Sequence, residues 1–455
     1  MIRSLIAIGA LPLLALGACS QVEFPASDQV GDASAVKLPA AEQYLFPPMN
    51  ISTPVGWEKG QKPTAPDGFT VTRFGDDMAQ PRNVLPLPNG DVLVAEAGGP
   101  GTEPVLRPKD LIYGIVKGKA HSSKKPGMDV VLLRDANGDG VAEQRTVLAK
   151  NLNSPFGLAY GGGKLYVADT DAVLTWDFTP GQTALAGPPT KLTDLPGPPY
   201  DHHWTKSIVL SPDGSTLYAG TGSNSNIVER GMEAEQNRAL IWEVNLPSGA
   251  KRPYATGLRN PNGLTFNPTS GQLWAVVNER DELGNNLVPD YMTSVREGAF
   301  YGWPYSYYGQ HVDPRVRPQR PDLVAKAVVP DYSLSSHVAP LGMAFGPAGL
   351  PGGYAGGAFV GEHGSWDRKI FNGYRVSFVP FAEGRPAGKA RDFVTGFITP
   401  DGKTHGRPVG VAFGPDNALY VADDVGNIVW RIAPNAPTGG GRQSAASHAV
   451  EKRAG

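Results

Sequence analysis

The chain has 455 residues, 18% of them charged, and its formal net charge is −2. This near-neutral balance excludes the basic face that nucleic-acid binding requires, and the single cysteine excludes disulfides, cysteine-based metal sites and a covalently attached haem. The 57 glycines and 43 prolines are spread along the chain, which is typical of an all-β protein with many tight turns.

Residues 1–19 predict export and lipid attachment. Arg3 precedes an apolar run over residues 5–18, which fits a secretory signal peptide and is too short to span a bilayer comfortably. The run ends in LGAC, which resembles a bacterial lipobox, and Cys19 is the only thiol. We expect Cys19 to be lipidated and to anchor the protein to the envelope, at the outer membrane facing the periplasm. The alternative is an ordinary signal peptide with an incidental cysteine.

Residues 20–59 are polar and contain prolines, and we expect a tether and an N-terminal extension there. Residues 434–455 lack apolar periodicity, which predicts a disordered tail. The domain that carries the function is therefore expected over residues 60–433.

One sequence pattern, a short phrase, recurs six times within that domain. An apolar alternating run, a turn rich in Pro, Gly, Asn and Asp, and a second alternating run predict a β-hairpin each time. Six such units predict a closed ring, because closure hides the strand edges that single hairpins expose. The sequence predicts an all-β, six-bladed β-propeller with four-stranded antiparallel blades, and a pair of β-sandwiches is the alternative. The six phrases begin at Pro81, Pro155, Lys206, Pro261, Pro340 and Pro408.

The DANGDG segment over residues 135–140 matches the start of a calcium-binding loop, D-x-N-x-D-G. However, Thr146 takes the twelfth position, where such a loop has a bidentate Glu, and no flanking helices are evident. A tight hairpin turn is the favoured interpretation, and a weak structural Ca²⁺ site is the alternative.

Three motifs in the fourth repeat carry a family resemblance. RNPNG begins at Arg259, the acidic loop NERDE follows over residues 278–282, and GAFYGWP covers residues 298–304. Together they resemble the soluble quinoprotein sugar dehydrogenases, the glucose/sorbosone dehydrogenase family. Phrases such as SPFGLAY, HHWTKSIVLSPDG and HGSWDR are most similar to the sorbosone dehydrogenase branch. The resemblance extends over nearly the whole chain after the signal peptide.

This resemblance implies a six-bladed propeller that binds pyrroloquinoline quinone (PQQ) and Ca²⁺ at the top of the ring. It also implies oxidation of an aldose or a sorbosone-type sugar at C1. The electrons would pass to an external acceptor, either a quinone or a separate cytochrome, because the chain carries no haem motif.

The resemblance further implies individual site residues. His203 aligns with the family's general base, and the backbone carbonyls of Glu279 and Arg280 fall where the family binds Ca²⁺. Arg259 has two possible roles: it contacts the cofactor, or it ties two blades together. Lys206 is added because a turn before the strand would bring it to the cofactor. The expected cofactor contacts are Lys206, Arg259, Asn260, Asn262, His337, Arg368 and Arg407.

These residue types suit the chemistry. The three carboxylates of PQQ call for Arg and Lys, and a sugar hydroxyl needs a base that is active near neutral pH, such as histidine. If the segment before the strand is extended, neighbouring side chains point to opposite faces. His203 would then share a face with Thr205 and Ser207, and His202 would point away.

Two other functions stay open. One is a Ca²⁺-dependent propeller lactonase, whose channel would be lined with carboxylate and Asn side chains. The other is a non-catalytic propeller that binds glycans or envelope partners. The number of arginines favours an anionic cofactor.

Overall fold

The computed structural model describes residues 25–42, 48–101, 122–198 and 201–436. Cys19, the predicted signal peptide and residues 437–455 lie outside the described residues. Within the described part of the chain, no helix combines the length and the apolar character needed to cross a bilayer.

Six antiparallel sheets follow one another along the chain, each built on one of the repeated hairpins, which confirms the predicted propeller. The first strand of each blade packs against the first strands of the neighbouring blades, so these six strands surround the ring axis. The strands of blade 1 are Pro81–Pro86, Val92–Glu96, Asp129–Arg134 and Gln144–Ala149. Those of blade 2 are Gly157–Gly161, Lys164–Ala168, Ala172–Asp177 and Thr190–Asp194. Those of blade 3 are Ile208–Leu210, Thr216–Thr221, Leu240–Asn245 and Lys251–Thr256.

Blade 4 gains a fifth strand because Val30–Asp32 pairs with the outer edge of its last strand. Its other strands are Pro261–Phe266, Leu273–Val277, Pro289–Ser294 and Tyr332–Ser336. Blade 5 contains Pro340–Phe345, Ala358–Glu362, Arg375–Val379 and Arg391–Val394. Short elements stand between or beside the blades: the 3₁₀ helices Ala26–Gln29 and Met232–Glu235, the helix Pro321–Val324, and the strand pairs Thr53–Pro54/Lys403–Thr404, Ser306–Tyr307/His311–Val312 and Phe381–Ala382/Arg385–Pro386.

Blade 6 closes the ring with strands from both ends of the domain. Pro408–Phe413, Leu419–Asp423 and Ile428–Pro434 come from the C-terminal side. The outermost strand, Phe69–Gly75, comes from the N-terminal side and pairs antiparallel with Ile428–Pro434. This pairing of strands from both ends of the domain closes the ring between the first and the last blade.

Alternating strand directions place the loops on two opposite faces. We call top the face that carries the loops before each innermost strand and the loops between second and third strands. The candidate site residues precede an innermost strand or follow a second strand, except Asn262, which is the second residue of Pro261–Phe266, so they lie at the top face. The DANGDG segment joins the third and fourth strands of blade 1 and therefore lies on the bottom face.

The middle and bottom parts of the innermost strands line an axial cavity of about 490 Å³. No charged side chain of the described residues lines it, and the bottom end of each innermost strand contributes one large, partly exposed apolar side chain. These six side chains are Leu85, Tyr160, Leu210, Phe266, Phe345 and Phe413. An anionic ligand is unfavourable among such groups, so the polar top face is the candidate site.

The structure describes residues 25–42 and 48–59 of the predicted tether, and both segments pack on the propeller. Besides the added strand of blade 4, Gln29 is buried and its side-chain amide donates to the Asn286 carbonyl at 2.6 Å. Farther on, Asn50 donates from its backbone to the Trp366 carbonyl at 3.1 Å, and Thr53–Pro54 pairs in parallel with Lys403–Thr404. The extension thus crosses blades 4, 5 and 6.

Candidate active site

His203 lies on the top face with one ring nitrogen held by blade 3. Its Nδ1 is 2.9 Å from the carbonyl oxygen of Ser223 and 3.0 Å from the Ser223 hydroxyl oxygen. That hydroxyl donates to the Ser225 carbonyl at 2.7 Å, so both Ser223 oxygens accept from the imidazole. The proton of the neutral ring is therefore on Nδ1, and Nε2 carries the lone pair. This is the tautomer that a general base needs.

The prediction that His202 and His203 point to opposite faces is wrong. Both residues lie in a turn before the strand, and their rings meet edge to face with centroids 4.5 Å apart. The extended geometry begins only after this turn, so the two-residue alternation does not apply to the pair. Thr205 contacts the amide oxygen of Asn262 at 2.9 Å, on the side of blade 4.

Asn260 lies beside His203, and Gly222 makes this possible. A Cβ at Gly222 would overlap with the Asn260 amide oxygen and with the His203 Cβ. The Asn260 amide oxygen is buried and has no hydrogen-bond partner among the described residues. A buried acceptor without a donor is costly, which makes this atom a candidate contact for a ligand.

Arg407 is a buried cation whose side-chain hydrogen bonds go to two neutral hydroxyl groups. It is 7% exposed, and its Nη2 donates to the Ser52 hydroxyl at 3.2 Å and to the Tyr374 hydroxyl at 3.1 Å. Its guanidinium also lies over the Tyr374 ring, 5.0 Å from the centroid. Within the described residues it forms no ion pair, although a buried charge normally has one.

Lys206 lies in a closed, charged cluster between blades 2 and 3. Its side chain is fully buried, and its Nζ donates to the Trp204 carbonyl at 3.0 Å. The Asp201 carboxylate is 3.8 Å away and also pairs with Arg238 at 3.0 Å. Burial lowers the pKa of Lys206 to about 7. The chain does turn before the strand, and the turn directs the amine to Trp204 and Asp201.

Arg259 connects three top-face segments. It is 2% exposed and makes five hydrogen bonds, two of them to Asn226 and one to the Asp281 carboxylate at 3.1 Å. The remaining two go to the Asn278 carbonyl at 3.3 Å and the Glu279 carbonyl at 2.6 Å. A guanidinium has five N–H donors, so protein acceptors engage all of them. These contacts describe the second role left open by the sequence, that of tying the loops together.

Two other predicted cofactor contacts, Asn262 and Arg368, are also buried on the top face. Asn262 is fully buried and donates to the Asn260 carbonyl at 3.4 Å. Arg368 is 4% exposed and donates to the Asn285 carbonyl at 3.0 Å and to the Ser336 hydroxyl at 2.7 Å. The Arg280 side chain forms an ion pair with the buried Asp313.

His337 meets two carboxylates that the sequence does not single out. Its Nδ1 is 3.5 Å from the Asp281 carboxylate, and Asp367 belongs to the same cluster. Burial alone would lower the pKa of His337, but Asp281, Asp367 and Asp290 together raise it to about 9. Burial raises the pKa of Asp367 to about 6 and that of Asp290 to about 7.

A second imidazole–carboxylate pair joins blades 5 and 6. His363 Nε2 lies 3.0 and 3.1 Å from the two oxygens of Asp424, which also pairs with Arg82. Burial by itself would raise the pKa of Asp424, but His363 and Arg82 hold it well below its usual range. Arg82 also lies over the ring of Trp204, 5.3 Å from the centroid. Nothing in the local sequence around Arg82 or Asp424 indicates that they meet, because 341 residues separate them.

The DANGDG turn gathers its own carboxylates on the bottom face. Asp135 accepts from the backbone of Gly138 at 2.6 Å and of Gly140 at 2.7 Å. Glu143 accepts from the backbone of Ala136 at 2.8 Å, and the carboxylates of Asp135, Asp139 and Glu143 converge. These backbone contacts are those of a tight turn.

The profile of one family, described as TrAA12-like, matches residues 122–297 and 321–434, which is more than half of the chain. The chain belongs to the TrAA12-like family. Among curated relatives, an uncharacterised protein of Borreliella burgdorferi is 27% identical over 301 residues, which are 63% of this chain and 77% of that protein. The PQQ-dependent pyranose dehydrogenase of Coprinopsis cinerea is 23% identical over 427 residues, 80% of this chain. The TrAA12-like chain spans only 54% of the length of that enzyme.

Solved structures match the whole propeller. The holo form of the PQQ domain of the Coprinopsis cinerea pyranose dehydrogenase matches with a TM-score of 0.66 and 20% identity, covering 84% of this chain and 100% of that domain. The calcium structure of the Trichoderma reesei member of carbohydrate-active enzyme family AA12 matches with a TM-score of 0.66 and 19% identity, covering 85% and 99%. At these identities the likeness establishes the fold of the TrAA12-like chain.

The buried amine of Lys206 should make the free energy of unfolding rise with pH. Its folded-state pKa of about 7 lies below the ordinary value of 10.5, so between these values the unfolded chain binds a proton that the folded chain lacks. The free energy of unfolding therefore rises with pH, by as much as about 4 kcal/mol between pH 7 and 10 at about 1.4 kcal/mol per pKa unit. Lys206→Met should lack this rise in denaturant titrations. Parallel pH curves for wild type and variant would show that the amine is not neutral in the folded protein.

Proposed function

We propose that this chain is a PQQ- and Ca²⁺-dependent dehydrogenase that oxidises an aldose or sorbosone-type sugar at C1. The electrons pass to an external acceptor, either a quinone or a separate cytochrome. Membership of the TrAA12-like family supports the proposal, as do relatives named PQQ-dependent pyranose and sugar dehydrogenases. The PQQ-bound and calcium structures of proteins with the same fold support the choice of cofactors.

One observation carries the proposal for this chain: Arg407 is buried on the top face and forms no ion pair with any residue that the structure describes. A tricarboxylate cofactor supplies the missing negative charge, and a guanidinium binds carboxylates in bidentate fashion. The unpaired amide oxygen of Asn260 offers a further polar contact next to His203. This donor and acceptor set fits an anionic quinone better than it fits a neutral lactone.

His203 is the base of the proposed reaction. When bound, PQQ supplies the electrophilic quinone that accepts hydride from the sugar. His203 Nε2 takes the proton of the sugar hydroxyl, while the Ser223 carbonyl holds the proton on Nδ1 and orients the ring. The resulting imidazolium is stabilised by the two Ser223 oxygens, which both accept from Nδ1.

The Glu279 carbonyl is a poor Ca²⁺ ligand in this arrangement. Its oxygen accepts from the Arg259 guanidinium at 2.6 Å, so a cation bound there would lie beside a positive charge. We therefore assign no step to a cation at the Glu279 and Arg280 carbonyls. Binding of the proposed Ca²⁺ requires either that Arg259 release the Glu279 carbonyl oxygen or that other groups act as ligands of the ion.

We also propose that the enzyme is exported and lipid-anchored through Cys19, facing the periplasm. Cys19→Ser should shift the protein from the membrane fraction to the soluble fraction, or leave an uncleaved precursor, because no other thiol can carry the lipid. Fractionation followed by mass determination of the mature N-terminus tests this. The same membrane-bound distribution in wild type and variant would rule out an anchor at Cys19.

Removal of the Arg407 charge should weaken PQQ binding. Arg407→Met keeps an unbranched side chain but removes the charged donor, and the loss should be about 1.5–3 kcal/mol of binding free energy. A spectrophotometric PQQ titration in the presence of Ca²⁺ measures it. Arg252→Met is the matched control, because Arg252 is half exposed and pairs with Glu243 on the surface. Equal PQQ affinity in the two variants would remove Arg407 from the site.

Loss of the base should separate PQQ binding from turnover. His203→Ala with PQQ and Ca²⁺ should retain the quinone but reduce it about 10²–10⁴-fold more slowly when sugar is added. His202→Ala, whose ring touches that of His203, should keep most of its turnover. Bleaching of the quinone absorption by a panel of aldoses and sorbosone measures both. Greater damage from His202→Ala than from His203→Ala would contradict the assignment, and absence of PQQ binding by wild type would favour a hydrolase or a binding protein.

A further inference from the structure

Three metal-ligating side chains converge at the junction of blades 4 and 5. Asp281 lies between the second and third strands of blade 4, His337 follows the last strand of that blade, and Asp367 lies between the second and third strands of blade 5. One ligand atom from each lies within 4.8 Å of the other two. Three separate loops therefore bring an imidazole and two carboxylates together.

Asp367 has a buried oxygen that the described residues leave unsatisfied. The residue is 1% exposed, and its Oδ2 accepts from the Glu282 backbone at 2.7 Å. Its Oδ1 is buried and accepts no hydrogen bond within the described residues. A buried carboxylate oxygen without a donor or a cation is costly, so this atom points to a positively charged ligand.

His337 is oriented in the way that a metal-binding histidine is oriented. Its Nε2 is 3.0 Å from the Gly284 carbonyl oxygen, which can only accept, so Nε2 carries the proton. Nδ1 faces the Asp281 carboxylate, and a metal ion that displaces the second proton of the ring would bind to the lone pair of this atom. A hydrogen bond from one ring nitrogen to a carbonyl is the usual support for a histidine that binds a metal through the other.

Asp281 is held in place by a neighbouring donor. Its Oδ2 accepts from Arg259 Nη2 at 3.1 Å, and its backbone N–H donates to the Asn226 amide oxygen at 2.9 Å. The same carboxylate presents Oδ1 to His337. Two of the three ligand residues are thus fixed by the loops themselves, which lowers the cost of ordering them on binding.

We propose that Asp281, His337 and Asp367 bind one divalent cation through the imidazole and both carboxylates. A mixed nitrogen and oxygen set suits ions of the Mn²⁺ and Zn²⁺ class better than Ca²⁺, which prefers oxygen ligands alone. The site differs from the Glu279 and Arg280 carbonyls, and all three of its ligand residues come from the protein. It joins blade 4 to blade 5 and fixes Asp281, to which Arg259 is bonded.

Mn²⁺ binding to the full-length, chelator-treated protein without PQQ tests the proposal. Electron paramagnetic resonance of free Mn²⁺ should report binding by wild type, with displacement by Zn²⁺ at lower concentration than by Ca²⁺. Asp367→Asn and His337→Gln should each weaken binding about tenfold or more. Thermal unfolding in chelator should show that Asp367→Asn is at least as stable as wild type, because the variant removes an unsatisfied buried carboxylate.

Asp139→Asn is the matched control, since Asp139 belongs to the other carboxylate cluster, on the bottom face. It should leave Mn²⁺ binding unchanged. Binding that survives in a folded Asp367→Asn variant, or that is lost in Asp139→Asn instead, would overturn the proposal. Because no step of the test uses PQQ or sugar, its failure is separate from a failure of the proposed dehydrogenase activity.

Discussion

The pairing of strand Phe69–Gly75 with strand Ile428–Pro434 is the constraint on which the remaining structure depends. It joins the two ends of the domain in one blade, so every innermost strand has a neighbour on both sides. The top-face loops of blades 1 and 6 become adjacent only because of this closure. The contact between Arg82 of blade 1 and Asp424 of blade 6 exists across that seam.

Some buried charged side chains of the top face have a partner of opposite charge, and others do not. Arg259 and Arg280 are buried, and both have carboxylate partners. Arg407 lacks an anionic partner and Asp367 keeps an oxygen without a donor, both within the described residues. These two groups call for ligands of opposite charge, and this is why an anionic cofactor and a separate cation both follow from the same face.

The fold could be predicted from the sequence because each blade repeats one local pattern. Alternating apolar residues on both sides of a turn are enough to locate the hairpins that begin at Pro81 and Pro408. The fifth strand of blade 4 was not predicted, because Val30–Asp32 is short, polar in part, and paired only through tertiary contact.

The top-face position of Arg259, Asn260 and Arg407 could be predicted because these residues lie next to a hairpin. The positions of the carboxylates Asp281, Asp367 and Asp424 beside other site residues could not, because separate loops meet there only through the curvature of the closed ring. The orientation of His202 relative to His203 was predicted wrongly because a turn replaces the expected extended segment.

A crystal structure of the protein with PQQ bound would show whether the top face is the cofactor site. PQQ should lie on the top face, with a carboxylate against Arg407 and the quinone within reach of His203. PQQ located in the axial cavity between the innermost strands, or density for PQQ on the bottom face, would contradict this assignment.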